Sequence, residues 1–263
     1  DGKAVKLSES VAYSLLAGGK RIRPIITLAI IESYRPLDEQ AVALSCTTEL
    51  LHTASLMLDD LPSMDNAELR RGRKTNHRVF GESTTILAAM ALWSEAIRLM
   101  ATIENIEIND IVRETAESVG QKGLVRGQFL DLDSFHTPQN VADLEECAYL
   151  KTAILFKNAA RIGALLVSAP PRERMIFENF GREFGLIYQI RDDLLDATET
   201  KEMIGKDTGI DERNGRATYV TLLGEAGTKQ LIKEKMLLAL AELEKLPFRS
   251  EHLTALVREL EVQ

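Results

Sequence analysis

"AVALSCTTELLHTASLMLDDLPSMD", residues 41 to 65, decides how this chain folds. Apolar residues recur at three- and four-residue spacing from Ala41 through Met57, the period of a helix that buries one face. Pro62 cannot donate an intrahelical bond and biases Leu61 away from helical dihedrals, so the helix ends near Asp60. Asp65 is then left to fold back toward Asp59. The outcome is three carboxylates, Asp59, Asp60 and Asp65, gathered beside leucine, methionine and proline, where like charges repel. His52 lies two turns before Asp59 on the same helical face.

The same period appears in "VAYSLLAGGK", "ILAAMALWSEAIRLM", "DIVRETAESVGQKGLVRGQFLDL", "LEECAYLKTAILFKNAARIGALLV" and "MIFENFGREFGLIYQIRDDLLDA". No stretch shows period-two alternation between hairpin turns, so no sheet is expected. Thr137-Pro138 reads as an N-cap with proline at the first helical position, "SAPPRE" (168–173) as a break between helices, and residues 198 to 216 as a long polar loop. The fold class is all-α, and one domain over residues 1–263 is the simplest organisation. A hydrophobic share of 45% provides a deep core, and the longest apolar run, Ile86 to Trp93, is too short to span a bilayer, so a protein that is not membrane-spanning is expected. With 32 basic and 40 acidic residues the net charge of −8 argues against a nucleic-acid partner. Cys46 and Cys147 have no partner pattern and read as reduced core thiols. The chain begins at Asp1 with no signal-peptide pattern, which points to a segment ahead of it.

A second acidic cluster, "RDDLLD", places Asp192, Asp193 and Asp196 together, with Asp192 and Asp196 on one helical face. A lone cluster of this kind is usually a solvated face. Two of them, each after an apolar helix and each near basic residues, call for hard cations: Mg²⁺ prefers carboxylate oxygen and completes its shell with water and substrate phosphate. The basic residues supply the complement. "GGKRIRP" presents Lys20, Arg21 and Arg23 on a turn after Gly18-Gly19, and "ELRRGRKTNH" adds Arg70, Arg71, Arg73 and Lys74. Guanidinium forks suit phosphate, and the alternation of acid and base fits a diphosphate held both directly and through metal.

"SLLAGGKRIRP", "ELLHTASLMLDDLPSMDNAELRRGRKTNHRVFGE", "GLVRGQFLDL", "YLKTAILF" and "GLIYQIRDDLLDATETKEMIGKDTG" resemble, in this order, the trans-prenyl diphosphate synthases, from about Tyr13 to Leu223. The four-residue spacer of the first motif is that of bacterial and plant members. The resemblance implies an isoprenoid synthase-type bundle around a central cavity, in which the two clusters face each other and bind roughly three Mg²⁺ ions. The ligands would be Asp59, Asp65 and Asp192, supported by Asp60, Asp193 and Asp196. It implies an isopentenyl diphosphate site at Lys20, Arg23, His52 and Arg71, and allylic diphosphate contacts from Arg70, Lys151 and Lys206. Thr152 and Gln189 match positions whose oxygens face the developing allylic cation. It also implies a homodimer, with "ILAAMALW" as part of the contact, and a cytoplasmic or plastid and organellar stromal location.

Product length is read from the residues before Asp59. Ala54 and Ser55 are small where farnesyl-making relatives place an aromatic floor, so a deeper tunnel and geranylgeranyl diphosphate are expected, with Leu50 and Leu51 as deeper floor residues. A farnesyl or longer product, or a side chain from the next helix closing the pocket, is the alternative. The chain departs from the family pattern at Ala89-Met90, where Gly-Asp is usual and where Met90 is expected to reshape the tunnel. It departs also at Ile210 and Arg216, where lysine is usual, at Tyr188 for phenylalanine and at Leu58 for histidine. Arg216 keeps the charge and is assigned to substrate binding. A terpene cyclase is disfavoured by the second aspartate motif and the "GGKRIRP" tip, and a non-catalytic regulatory subunit by two intact motifs.

Overall fold

The computed structural model of the protein describes residues 5–132, 138, 140–198 and 217–262. The all-α expectation holds. Helices α1 (Val5–Leu15), α2 (Ile22–Glu32), α3 (Glu39–Asp59), α4 (Asn76–Phe80), α5 (Glu82–Met100), α6 (Ile108–Val119), α7 (Leu124–Leu132) and α8 (Val141–Ala148) are followed by a π-helical turn (Tyr149–Ala153) and α9 (Ile154–Leu166). The chain continues as α10 (Pro171–Thr198), α11 (Tyr219–Leu243) and α12 (Glu251–Arg258).

Helix α3 starts where Asp38 caps it, its carboxylate accepting from the Ala41 N–H at 2.8 Å. It ends at Asp59, with Asp60 as C-cap, as Pro62 requires. Its composition and length would let it cross a bilayer, yet 67% of the apolar stretch is buried inside the bundle. Three buried polar residues on it satisfy themselves locally: the Ser45, Thr47 and Thr48 hydroxyls donate to carbonyls three residues back. That burial turns the next positions outward, leaving Val42 half-exposed and Cys46 exposed. The core assignment of the cysteines is therefore corrected, for Cys147 is also only half-buried.

The break at residues 168–173 is present, with Ala169 N bonding back to Ala164 O and α10 beginning at Pro171. Helix α8 begins later than the sequence suggests: Pro138 is not helical and Asn140 is the N-cap, accepting from Asp143 N at 3.0 Å, while Thr137 lies outside the described residues. So does most of the loop expected at 198–216. A small hairpin was not expected. Leu69–Arg70 (β1) pairs antiparallel with Arg73–Lys74 (β2) around Arg71 and Gly72, both at positive φ, the geometry of a type I′ turn.

The main core lies where α10 packs between α9 and α11, with Phe156, Phe177, Phe180 and Phe184 fully buried beside Ile26 and Ile30 of α2. A second layer joins α3 to α5 through Leu50, Leu51, Ala54, Met57, Ala88, Ala89 and Leu92. These layers hold the ends of α3 and α10, with the π-turn, as the frame of the acidic and basic clusters.

Candidate functional site

The first acidic cluster is built by the end of α3. Asp65 N donates to Asp59 O at 2.9 Å and Asn66, at φ 48, returns its N–H to Leu61 O, so the chain closes on itself after Pro62 and brings the carboxylates together. Burial pushes the Asp59 carboxyl up to about 6; Lys151 opposes the shift and Asp65 and Asp60 reinforce it. Asp60 is buried and also raised by burial, although Arg70 donates to its Oδ1 through Nη2 at 2.6 Å and Nε at 3.0 Å. Asp60 and Arg70 thus hold each other by hydrogen bonds, whereas Asp59 and Asp65 face Lys151 and, more weakly, the same Arg70.

The π-turn carries Lys151 and Thr152. Two glycines clamp it: a Cβ on Gly127 of α7 would sit 2.5 Å from Lys151 N, and one on Gly185 of α10 would sit 2.4 Å from the Ala153 Cα. Backbone can approach backbone only because both side chains are absent. The extra residue of a π-turn redirects the side chains it carries. Lys151 reaches Asp131 of α7 at 2.6 Å, and its pKa is raised: burial alone would lower it, but Asp131, Asp65 and Asp59 outweigh burial. Thr152 donates to Gln189 Oε1 at 2.7 Å, and Gln189 Nε2 donates to Asp193 at 2.8 Å. The turn therefore bridges the first cluster, through Lys151, to the second, on α10. Asp192 and Asp196 are half-buried one turn apart on that helix.

The basic tip forms beside it. Gly18 and Gly19 at φ 82 and 122, and Arg21 at φ 51, turn the chain into α2. A Cβ at Gly19 would strike the Arg71 guanidinium at 2.7 Å, so glycine is what admits Arg71, whose Nη1 donates to Gly18 O. Arg21 pairs with Glu49 and donates to Leu15 O at 2.6 Å. Arg23 is buried, its guanidinium 4.0 Å from the centre of the Phe156 ring, and its Nε has no partner. Its pKa falls to about 10, from burial first, with Tyr188 and Glu49 opposing and Arg71 adding to the fall. Lys20 lies 5.9 Å from the Tyr188 ring, one turn before Asp192. Half-buried His52 is held well below the usual imidazole value by burial and by Arg23, Arg71, Arg70 and Arg21, so it is neutral. Packing several guanidiniums around a neutral imidazole and leaving one donor unpaired is costly unless an anion arrives.

Among the described residues no three acidic, histidine or cysteine side chains form a ready-made metal cage. The oxygen-only donors Asp59, Asp65 and Asp192 suit Mg²⁺, which takes one or two carboxylates and leaves the remaining positions to water and phosphate. The high Asp59 pKa is that of a desolvated carboxylate which a cation would stabilise.

Not every expected residue falls in this site. Lys206, Ile210 and Arg216 lie outside the described residues. Met90 is 60% exposed on the outer face of α5, because Ala89 takes the inward position next to it; its assignment to the product pocket is corrected. Leu50, Leu51 and Ser55 are buried on α3, and Ala54 has no exposed surface because α5 covers it. Sequence reasoning missed Asp131 and Glu49, the partners of Lys151 and Arg21. Asp131 was within reach, since it stands inside the quoted "GQFLDL", but its partner is set by the π-turn.

A model of the polyprenyl synthetase family matches residues 4–245. The heterodimeric geranylgeranyl pyrophosphate synthase large subunit 2 of Arabidopsis thaliana is 40% identical over 237 residues, 88% of this chain and 63% of that protein. The farnesyl diphosphate synthase of Bacillus subtilis is 38% identical over 228 residues, 85% of this chain and 77% of that protein. The chain thus spans under two thirds of the plant relative's length and about three quarters of the bacterial one's. The geranyltransferase of Helicobacter pylori, solved with magnesium and isoprenyl diphosphate, superposes with a TM-score of 0.86 at 29% identity, covering 97% of this chain and 86% of that one. The chain belongs to the polyprenyl synthetase family.

Proposed function

We propose that this chain is a Mg²⁺-dependent trans-prenyltransferase that joins isopentenyl diphosphate to an allylic diphosphate, with geranylgeranyl diphosphate as the product. The observation that carries the reading is buried Arg23, whose unpaired Nε sits among Arg71, Arg21 and neutral His52 beside the aspartate-bearing helix ends. A diphosphate supplies the missing acceptors and charge.

Lys20, Arg23, Arg71 and His52 hold the isopentenyl diphosphate; a neutral imidazole can donate one N–H without adding repulsion to the arginines. Lys151, kept charged and aimed by Asp131, contacts the allylic diphosphate together with Arg70. Lys206 and Arg216 are assigned to substrate on resemblance alone. Asp59, Asp65 and Asp192 are the metal set, with Asp60, Asp193 and Asp196 supporting them from around the site, and Mg²⁺ there would neutralise the diphosphate leaving group. Thr152 and Gln189 offer oxygen dipoles to the allylic carbon as its C–O bond breaks. The new C–C bond forms to isopentenyl diphosphate, and the departed diphosphate accepts the proton that closes the double bond.

Small Ser55 on α3 supports a long product, with Leu50 and Leu51 behind it, while Ala54, small as well, packs under α5. A stripe of exposed apolar residues on α5, Ile86, Met90 and Ile97, supports a homodimer. One domain, and a cytoplasmic or organellar stromal setting suited to two free thiols, complete the reading.

Incorporation of labelled isopentenyl diphosphate into an acid-labile product, with and without EDTA, tests the reaction. Metal-dependent incorporation is expected; incorporation that survives EDTA overturns the metal assignment, and none with any allylic acceptor overturns the activity.

A further inference from the structure

We propose that Asp193, resting on the prenyltransferase reading above, is a positioning residue that sets the polarity of the dipoles facing the allylic carbon, and not a metal ligand. Asp192 and Asp196 share one face of α10. Asp193 is turned about 100° from Asp192 and shares its face with Gln189, four residues earlier. Both of its oxygens meet protein donors: one accepts the Gln189 Nε2 amide at 2.8 Å and the other the backbone N–H of Tyr219, at the start of α11, at 3.2 Å.

An ionised carboxylate only accepts, so the Gln189 NH₂ has to face Asp193 and its Oε1 has to face away. That oxygen is the acceptor for the Thr152 hydroxyl at 2.7 Å. The Thr152 proton is thereby committed to Gln189, which leaves the Thr152 oxygen lone pairs for the pocket. With the amide reversed, Thr152 would accept from the NH₂ and its own proton would be free to swing toward a developing cation, the wrong sign of dipole. Asp193 therefore acts through Gln189 on Thr152, and the Tyr219 N–H fixes Asp193 in turn.

Asp193→Asn retains an acceptor for one donor but presents an NH₂ of its own, so both amide orientations become available. Steady-state kinetics and calorimetric titration with Mg²⁺ plus inorganic diphosphate, on this variant and on Asp192→Asn, separate the roles. The proposal expects Asp193→Asn to lower kcat by at least about tenfold, with the KM for allylic diphosphate and the Mg²⁺–diphosphate affinity within about twofold of the parent. Asp192→Asn should weaken that affinity. Combining Thr152→Val with Asp193→Asn should cost little more than the worse single change, because both interrupt one chain of bonds. An affinity loss in Asp193→Asn equal to that in Asp192→Asn, an unchanged kcat, or fully additive losses would each overturn it. Should the variant not fold, the parent protein still decides: slow hydrogen exchange of the Gln189 side-chain amide is required, and fast exchange rules the bond out. A parent protein that turns over no substrate would defeat the prenyltransferase reading, while the exchange result would still stand or fall on its own.

Discussion

At the scale of single residues, the site is a set of groups whose ordinary preferences are denied. Asp59 is desolvated next to like charges, Arg23 is buried with a donor unpaired, and His52 is forced neutral among arginines. Asp59→Ala should cut turnover by a hundredfold or more while the melting temperature holds or rises, since removal of a repelling carboxylate does not harm the fold. Near-normal turnover would remove Asp59 from the metal set. Ser55→Phe should shift the product toward shorter chains, read by chromatography, and an unchanged distribution would place the floor elsewhere. Ala54 is a poorer site for that test, because α5 already covers it and a larger side chain would overpack the contact. The acidic and basic members of the site were legible because residue type and spacing carry them. Their pairing was not: that Asp60 engages Arg70, or Lys151 engages Asp131, depends on where separate helices meet.

At the scale of elements, helix existence and the end of α3 at Pro62 followed from local physics. The π-turn did not, because one inserted residue leaves no periodicity signal over five positions; it is enforced from outside, by Gly127 and Gly185 allowing α7 and α10 to press against it. The hairpin at Arg71-Gly72 escaped notice because strands of two residues each show no alternation. Gly185→Ala should therefore lower stability by about 1–3 kcal/mol through overpacking. It should also lower kcat more than an equal destabilisation elsewhere, because Lys151 and Thr152 move with the turn. Denaturant melts and kinetics on the same samples check this, and a stability loss with unchanged kcat would separate the turn from the chemistry.

At the scale of the whole molecule, α8, α10 and α11 are tied by one ionic network beneath the π-turn: Lys235 meets Glu145 at 2.9 Å and Glu183 at 3.2 Å, and Arg182 meets Glu145 at 2.6 Å. Burial alone would raise the Glu145 pKa, but its bonds to Lys235 and Arg182 outweigh burial and hold it below the ordinary glutamate value of 4.5. A depressed carboxyl stabilises the fold above 4.5, and that contribution is lost as pH falls through the lower folded-state value. Glu145→Gln should lower the melting temperature at pH 7, with the gap to the parent closing in acid; a gap that is constant with pH would contradict the network. Met90→Glu, on the exposed α5 stripe, should turn a dimer into a monomer in sedimentation velocity, and a monomeric parent would remove the dimer. The most direct measurement is chromatography of dephosphorylated products after the purified protein is given isopentenyl diphosphate and Mg²⁺ with farnesyl, geranyl or dimethylallyl diphosphate in turn. A geranylgeraniol peak is the expected result, and failure to consume farnesyl, geranyl or dimethylallyl diphosphate would contradict the assignment of this site to prenyl chain elongation.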